Sequence, residues 1–303
     1  MNLLIVGGSG HVSGAIARAA LRRNWQVRAI TRGKRPLPEG VKGLVAERHD
    51  HGAMEAVIAG EKTEWDLVVD CICMTRDDML QDIELFRRRA KKFVFVSTDF
   101  VFDPARRRFL QPVDGPFCAE EASPYGWRKR RCEEELLNGD TGEMAWTVFR
   151  PCHIYGPTSE LGCLPLHGRD PKLIESLRDG KPVRLVGGGH FLQQPILADD
   201  LAETIVSVAG SSDAGSRIFN MAGPDVIESR EYYRIVADIL GVELRVEEVP
   251  VGEYLSKHPA KATFICHRVY DLAPLEAARL SVPSTPIQEG LRLHVEGLLE
   301  ARK

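Results

Sequence analysis

Short apolar runs alternate with amphipathic stretches along the first half of the chain. The runs NLLIV, WQVRAIT, GLVAER, WDLVVDCI and KKFVFVST have the length and the β-branched content of buried parallel strands. Helical patterns lie between them, at 13–23, 52–59 and 77–90. Because strands that alternate with helices indicate right-handed βαβ crossovers, the pattern predicts an α/β fold, a doubly wound parallel sheet of the Rossmann type.

A second lobe begins where this rhythm stops, near residue 155. The stretch YGPTSELGCLPLHGRD is rich in Gly and Pro and predicts an irregular loop. A helix from about Ala198 and the strand RIFNMAG then return the chain to the sheet, and a helix over 286–299 closes the second lobe. We expect a Rossmann domain over 1–155 and about 190–225, and a smaller C-terminal α/β lobe over 156–189 and 226–303. Two such domains suit a length of 303 residues.

Composition and charge exclude several classes of function. The chain carries 40 basic and 43 acidic side chains, so it has no general positive field that would hold nucleic acid or a lipid surface. The apolar run at residues 3–6 is too short for a membrane-spanning helix and lacks the pattern of a signal peptide. Seven scattered cysteines, and histidines at 51, 167, 190, 258 and 267, lack metal-site spacing. We expect a cytoplasmic protein with reduced thiols, no metal, and no nucleic-acid or membrane partner.

A glycine turn follows the first strand. The segment LLIVGGSGHVSG places Gly7, Ser9 and Gly10 directly before a helix that begins near Val12. Glycines let the backbone come close to a pyrophosphate, whose charge is met by the free N–H groups and the positive dipole end of the helix. The turn therefore predicts a dinucleotide-binding site that includes Val12 and His11. His11 either contacts a phosphate oxygen or occupies a variable position.

The ends of the second and third strands bear on the choice of cofactor. The second strand ends in Thr31 and Arg32, with no carboxylate to hydrogen-bond the ribose hydroxyls of NAD. Arg32 can meet a 2′-phosphate instead, which favours NADP over NAD, and the alternative is a solvated basic loop. Asp50, after the third strand, either accepts a hydrogen bond from the adenine amino group, which we favour, or caps the next helix.

Three side chains further along the chain predict acid–base chemistry. The fifth strand ends in Ser97 and Thr98, at the edge where open α/β sheets bind ligands. Ser123, followed by a proline, predicts the start of a helix that carries Tyr125 and Lys129 on one face, one turn apart. A free phenol is a poor base at neutral pH, and a neighbouring ammonium favours its ionised form. The pair therefore predicts a proton-transfer device.

Six segments occur in an order that is typical of one family. They are GGSGHVSG, STD, YGWRK, FRPCHIYGP, QPILADDLAETI and FNMAGPD. On these motifs the chain resembles the extended short-chain dehydrogenase/reductase superfamily, in particular its NAD-dependent epimerase/dehydratase branch. The segment STDFVFD is similar to that of dTDP-dehydrorhamnose reductases, whereas VRAITRGKRP and DLVVDCI are similar to the atypical branch that includes chloroplast stem-loop-binding proteins.

The resemblance implies a role for each matching residue. Tyr125 would be the general acid/base, Lys129 would tune Tyr125 and hydrogen-bond the nicotinamide ribose, and Thr98 would position the substrate oxygen. Besides the glycine turn, the cofactor neighbours would be Cys71, Ile72, Ser97, Tyr125, Lys129, Pro151, His153 and Ile154. The strand end at 71–73 lacks the Ala-rich turn that many members have there. The aspartates at 199 and 200 match a pair that supports the junction of the lobes.

These implications lead to a predicted function in which the protein acts on a small-molecule substrate bound by the second lobe. We expect an NAD(P)-dependent oxidoreductase that transfers a hydride to or from a keto or hydroxyl carbon of a sugar, a nucleotide sugar or a related small molecule. One alternative is an NAD-retaining sugar-nucleotide epimerase or dehydratase. Another is a non-catalytic nucleotide-sensing or RNA-binding protein on the same fold, against which the intact acid–base trio argues. The family also forms homodimers through the Tyr125 helix, and the sequence allows a dimer as well as a monomer.

Overall fold

The structure, a computed structural model, describes residues 1–166 and 169–302. Its β-strands are β1 (Asn2–Val6), β2 (Gln26–Thr31), β3 (Lys42–Val45), β4 (Leu67–Asp70), β5 (Lys92–Val96), β6 (Ala145–Pro151), β7 (Ile154–Tyr155), β8 (Val183–Val186), β9 (Leu192–Gln193), β10 (Ile196–Leu197), β11 (Arg217–Met221), β12 (Ile227–Glu228) and β13 (Val246–Val249). Its α-helices are α1 (His11–Arg22), α2 (His51–Gly60), α3 (Arg76–Phe86), α4 (Pro124–Asn138), α5 (Leu173–Arg178), α6 (Ala198–Ser207), α7 (Ser229–Leu240), α8 (Val251–Lys257), α9 (Ala273–Ala277) and α10 (Ile287–Glu300). Short 3₁₀ helices cover Asp99–Val101, Pro104–Arg106, Gly187–Gly189, Val208–Gly210 and Pro259–Phe264.

Seven parallel strands form the central sheet. Their order across the sheet is β11-β6-β5-β4-β1-β2-β3, and each neighbouring pair is parallel. The strand order reverses between β1 and β4, because the chain builds outwards from β1 in one direction and from β4 in the other. Doubly wound sheets bind ligands in the crevice at such a reversal, outside the carboxyl ends of the strands. The predicted doubly wound parallel sheet is confirmed.

Both faces of this sheet are apolar and covered by helices. Leu3 and Ile5 of β1 belong to the core under α1 and α6, whereas Leu4 and Val6 belong to the core under α2, α3 and α4. All four side chains are fully buried. Successive side chains of a strand point to opposite sides, so a continuous apolar run fills both cores at once.

The second lobe has its own small sheets and core. β8 pairs in parallel with β13, β9 pairs antiparallel with β12, and β7 pairs in parallel with β10. Helices α5, α7 and α10 enclose an apolar core in which Leu177, Tyr232, Leu291 and Val295 are almost completely buried. The predicted closing helix is present as α10.

Contacts cross the predicted domain boundaries, as two examples show. β9 lies in the range predicted for the Rossmann domain but pairs with β12, in the range predicted for the lobe. Further along, Tyr270, Leu275 and Leu280 return to the core that contains α1 and α6. The exact division of the chain into two domains stays a prediction.

The described part of the chain has no helix long and apolar enough to cross a membrane. The same residues contain no group of three or more His, Cys, Asp or Glu side chains that could hold a metal ion. All seven cysteines are free thiols.

Candidate active site

The predicted phosphate-binding turn lies between β1 and α1. Gly7 and Gly8 have φ values of +102° and +149°, and a Cβ added at Gly8 would lie 2.6 Å from the Cβ of Ala29. This backbone therefore suits only glycine. The first turn of α1 carries no acidic side chain, and its leading N–H groups have no partner within the helix. The residues present fit the diphosphate of a dinucleotide.

Two side chains of the first turn of α1 have hydrogen-bond partners. Ser13 is the third residue of α1, and its buried Oγ accepts the N–H of Gly10 at 3.0 Å. His11 reaches the first loop of the range predicted for the second lobe, where its Nδ1 lies 2.6 Å from Thr158 Oγ1. Burial lowers the pKa of His11 to about 4, so its ring is neutral at physiological pH. A contact between His11 and a phosphate stays a prediction.

The ends of β2 and β3 carry the side chains predicted to select the cofactor. Thr31 Oγ1 accepts the N–H of Gly33 at 3.2 Å, which closes a tight turn. Arg32 is exposed beside it. Asp50 is the N-cap of α2, and its Oδ1 accepts the N–H of Ala53 at 2.9 Å. Of the two alternatives for Asp50, the structure therefore shows the helix cap, and an adenine contact stays a prediction.

A buried cluster of charges holds the loop after β4. Asp70 Oδ1 accepts the N–H groups of Ile72 and Cys73, both at 2.6 Å. Asp78 Oδ2 accepts two further N–H groups of this loop at 2.9 and 3.0 Å. Arg48, which is 6% exposed, lies between the two carboxylates, with its Nη1 2.9 Å from Asp70 Oδ2. The backbone at this edge of the predicted cofactor site is thus fixed by ion pairs that the sequence analysis did not foresee.

A cleft of about 590 Å³ opens at the carboxyl ends of β4 and β5. The predicted site residues that line it are Val12, Cys71, Ser97, Thr98, Tyr125, Lys129, Pro151, His153 and Ile154. The cleft therefore brings together the three candidate catalytic residues and most of the predicted nicotinamide neighbours. The other predicted cofactor residues, at the glycine turn and at the ends of β2, β3 and β4, are Gly7, Ser9, Gly10, His11, Thr31, Arg32, Asp50 and Ile72, and they lie outside this lining.

The candidate acid–base trio comes from two elements. Thr98 follows β5 and is buried, and its Oγ1 accepts the N–H of Phe100 at 3.3 Å. On α4, Tyr125 is 41% exposed, whereas Lys129 is 2% exposed. The Lys129 ammonium donates to two backbone carbonyl oxygens beside β4 and β5, at 2.8 and 2.9 Å. An ammonium has three protons, so one remains for a further acceptor in the cleft.

The start of α4 confirms the predicted helix and explains how Tyr125 reaches the cleft. Ser123 is the N-cap, and its Oγ accepts the N–H of Gly126 at 3.1 Å. A Cβ added at Gly126 would lie 1.9 Å from the carbonyl oxygen of Phe100. The missing side chain therefore allows α4 to approach the loop after β5, and the rings of Phe100 and Tyr125 are 6.2 Å apart.

Glu133 joins α4 to both strands beneath the cleft. Its Oε1 accepts the Ser97 hydroxyl at 2.6 Å and Arg150 Nε at 2.9 Å. Its Oε2 accepts Arg150 Nη2 at 2.7 Å and Arg130 Nη1 at 3.0 Å. Both Glu133 and Arg150 are fully buried. The hydroxyl of Ser97, a predicted cofactor contact, thus points to Glu133 here.

Asp99 ties the loop after Thr98 to a distant part of the chain. Its Oδ2 accepts the Tyr270 hydroxyl at 2.6 Å, Arg268 Nε at 3.0 Å and Arg107 Nη2 at 3.3 Å. Arg268 and Tyr270 are separated from Asp99 by 169 and 171 positions. No local pattern in the sequence could have indicated this cluster.

The second lobe supplies the far side of the cleft. Its lining residues are Leu164, Pro165, Leu166, Arg169, Tyr254, Lys261 and Phe264. None of these residues was predicted from the sequence, because they lie in loops and short helices without a motif. The basic residue at 169, which follows the apolar run LGCLPL, was the one available signal. His167, which was expected to bind no metal, lies outside the described residues.

Two histidines near the cleft are uncharged. His153 lies between β6 and β7, and burial lowers its pKa to about 4. His294 of α10 has its Nε2 2.7 Å from the carbonyl oxygen of Ser159, and burial lowers its pKa to about 4 as well. Neutral imidazoles leave the positive charge of the cleft to its lysine and arginine side chains.

Two polar positions of the second half of the chain have structural partners. Asp200 accepts the N–H groups of Ser284 and Thr285 at 3.1 and 2.9 Å, as a residue at the junction of the lobes would. Gln194 donates to Gly223 O at 2.8 Å and accepts the N–H of Tyr270 at 2.8 Å. Neither side chain lines the cleft.

Comparisons with known proteins show what the chain is similar to. Residues 3–222 match the NAD dependent epimerase/dehydratase family. The chain is 26% identical over 291 residues to 2'-dehydrokanamycin reductase of Streptomyces kanamyceticus, which covers 91% of this chain and 78% of that protein. It is 24% identical over 227 residues to the chloroplast stem-loop binding protein of 41 kDa b of Arabidopsis thaliana, which covers 73% of this chain and only 58% of that protein.

A solved structure with the same fold is the UDP-glucose 4-epimerase of Thermus thermophilus in complex with NAD. Its TM-score is 0.76 at 21% identity, and the match covers 99% of this chain and 100% of that one. The fold is thus a Rossmann-type fold. The chain belongs to the NAD-dependent epimerase/dehydratase family, as its motifs indicated. This membership confirms the expectation of an NAD(P)-dependent enzyme.

Proposed function

We propose that the protein is an oxidoreductase that uses exchangeable NADP(H) to transfer a hydride to or from a keto or hydroxyl carbon, with reduction favoured. The substrate would be a sugar, a nucleotide sugar or a related small molecule. One observation carries the proposal: Thr98, Tyr125 and Lys129 line a single cleft at the carboxyl ends of β4 and β5. A nicotinamide cofactor would supply or accept the hydride there.

Each member of the trio has a task that suits its surroundings. Tyr125 is accessible, so its hydroxyl would exchange a proton with the substrate oxygen. Thr98 already accepts one hydrogen bond from the backbone, and its own O–H proton would be donated to the same oxygen. Lys129 is immobilised by two carbonyl oxygens, so its third proton would be directed to the cofactor ribose. Held in this way, the groups need little reorganisation during the reaction.

The preference for NADP rests on the end of β2. Among the described residues, no carboxylate forms an ion pair with Arg32, and the turn from Thr31 to Gly33 holds its backbone. An exposed guanidinium without a protein partner would bind a 2′-phosphate through charge-assisted hydrogen bonds. The first turn of α1 would hold the diphosphate.

Cofactor titration tests this preference. After a check for copurified cofactor, nicotinamide fluorescence is followed as NADPH or NADH is added. We expect NADPH to bind at least about 10-fold tighter than NADH, which corresponds to one charge-assisted contact. Arg32→Glu should abolish this difference, whereas Arg88→Glu, an exposed arginine in the loop before β5, should leave it intact. Equal affinity for the two cofactors in the wild type would refute the role of Arg32.

The acid–base proposal is tested by Tyr125→Phe, which keeps the ring and removes the hydroxyl. We expect reduction of a ketone substrate by NADPH to fall about 10²- to 10⁴-fold, with NADPH affinity unchanged within about twofold. Lys129→Met should weaken both binding and turnover. The matched control is Arg128→Met, one residue earlier on α4 and exposed to solvent. If Tyr125→Phe retains full activity, the oxidoreductase proposal fails.

The epimerase or dehydratase alternative draws support from the fold shared with an NAD-bound epimerase. Protein that purifies with tightly bound NAD, and that rearranges a substrate without net oxidation, would establish this alternative. The non-catalytic alternative draws on the similarity to the stem-loop binding protein. A protein that binds neither cofactor would point to it, although a net charge of −3 gives no general attraction to RNA.

A further inference from the structure

The cleft has one cationic and largely apolar side, which the proposed trio does not explain. Arg169 and Lys261 line it from the second lobe, together with Leu166, Tyr254 and Phe264. None of the described residues in the lining is Asp or Glu. Among the described residues, no carboxylate forms an ion pair with Arg169 or Lys261. Two uncompensated cations at an apolar wall attract an anion more strongly than they would in open water.

Aromatic rings connect this cationic side to the candidate acid–base residue. The ring of Tyr125 is 6.2 Å from that of Phe100, and the ring of Phe100 is 5.4 Å from that of Phe264. The Lys261 ammonium lies 4.9 Å from the centre of the Phe264 ring. An unbroken row of apolar surface thus leads from the hydroxyl that would exchange the proton to a positive charge.

The positive charge extends deeper into the cleft. Arg169 is one of the charges that lower the pKa of His11 and of His153, after burial itself, so its field reaches both histidines. Because both rings are neutral, they neither add to the charge nor cancel it. The Lys129 ammonium adds a further positive charge at the sheet side of the cleft.

We propose that the substrate is an anionic ketone or alcohol with an apolar aryl or alkyl body, whose negative group is bound by Arg169 and Lys261. The inference rests on the proposed function, and among the substrates named there it selects a related small molecule rather than a sugar. The reactive carbon lies at Tyr125, the apolar body lies along Phe100 and Phe264, and the anionic group lies at the two cations. A polycationic substrate such as an aminoglycoside is repelled by these side chains. A neutral sugar finds few hydrogen-bond partners on the aromatic wall.

Three probes of one shape and different charge test the substrate class. They are 4-oxo-4-phenylbutanoate, its methyl ester, and the trimethylammonium analogue of the same length. Binding to the full chain with NADP⁺ is measured by calorimetry, and turnover is measured by oxidation of NADPH. We expect the anion to bind at least about 10-fold tighter than the ester, and the cation to show no binding. Raising the salt concentration from about 0.05 to 0.5 M should weaken binding of the anion alone.

Substitutions identify the two cations as the cause. Arg169→Met and Lys261→Met should each weaken binding of the anion about 10-fold and leave the ester unchanged. Lys257→Met is the matched control, since Lys257 is exposed, lies outside the cleft and pairs with Glu253 at 2.6 Å. This control should change neither affinity. Because all three lysine and arginine side chains are exposed, the variants should keep the circular dichroism of the wild type.

The outcomes separate this inference from the proposed function. If the ester or the cation binds as well as the anion, if no probe binds, or if both cation variants retain wild-type affinity for the anion, the substrate class is wrong. If the anion binds with the expected dependence on Arg169 and Lys261 but NADPH is never oxidised, the substrate class stands and the oxidoreductase proposal fails.

Discussion

Glu133 is the residue whose replacement tests most directly how the site is supported. It lies one turn after Lys129 on α4 and holds Ser97 at the end of β5 and Arg150 in β6. In Glu133→Gln, one acceptor oxygen becomes an NH₂ group that faces existing donors. Among the described residues, the fully buried guanidinium of Arg150 then has no carboxylate to balance its charge.

The size of the effect follows from this burial. Removing one partner of a buried, hydrogen-bonded ion pair costs about 3 to 5 kcal/mol of unfolding free energy, because the remaining charge is left uncompensated. Glu134 provides the contrast on the same helix. It pairs with Arg130 and Arg131 near the surface, where an ion pair contributes about 0 to 1 kcal/mol. We therefore expect Glu133→Gln to be far more destabilising than Glu134→Gln.

Urea unfolding followed by tryptophan fluorescence measures both variants, since the chain has 4 tryptophans. The double variant Glu133→Leu with Arg150→Met adds a second readout. The double variant should lose less unfolding free energy than the sum of the losses in Glu133→Leu alone and Arg150→Met alone, because it leaves no buried charge without a partner. The reasoning is refuted if Glu133→Gln lies within about 1 kcal/mol of Glu134→Gln, or if the two single changes simply add.

Three further predictions concern the cap, the close approach and the histidines. Ser123→Ala removes the N-cap of α4 and should lower the unfolding free energy by about 1 kcal/mol, while Ser123→Thr should retain most of it. Gly126→Ala places a Cβ 1.9 Å from a backbone carbonyl oxygen and should cost about 1–3 kcal/mol and weaken turnover. In Gly252→Ala of α8, the added Cβ meets nothing within 4 Å, so this variant should lose no unfolding free energy. An equal loss of unfolding free energy in the two glycine variants would contradict the steric argument. His153 and His294 have pKa values lowered from 6.5 to about 4, so the unfolded chain binds more protons between these values. Their stabilising contribution is complete above about pH 6.5, is lost as the pH falls towards 4, and amounts to at most about 3 kcal/mol each. The unfolding free energy should differ less between pH 5 and pH 7.5 in His294→Gln than in the wild type. An unchanged difference would show that His294 does not contribute to the pH dependence of stability.

Much of the fold could be predicted because its signals are local. The all-apolar runs of β1, β4 and β5 are required of strands that are buried on both faces, and the helices between them follow from spacing alone. The cap at Ser123 accepts the N–H group of the residue three positions later, so the start of α4 can be predicted from a few neighbouring residues. The glycine turn is equally local, because its backbone excludes side chains at Gly7 and Gly8.

The predicted site residues were found where a motif marks a strand end or a helix start. Thr98, Tyr125 and Lys129 belong to such motifs, and the structure brings all three to one cleft. Asp50 shows the limit of this reasoning, since a carboxylate after a strand suits a cap as well as a ligand. Its hydrogen bond to Ala53 depends on the course of the next residues.

Tertiary structure alone decided what lies around these motifs. Arg48 meets Asp70 and Asp78 across 22 and 30 positions, and Arg268 meets Asp99 across 169. From the sequence alone, a charged residue is predicted to lie at the surface, because the partner that allows it to be buried belongs to a distant element. Arg169 and Lys261 likewise came to the cleft only through the packing of the second lobe against the sheet. Hydrophobic periodicity is a property of neighbours along the chain, and it therefore determines the elements. The charge and shape of the cleft depend on residues that only folding brings together.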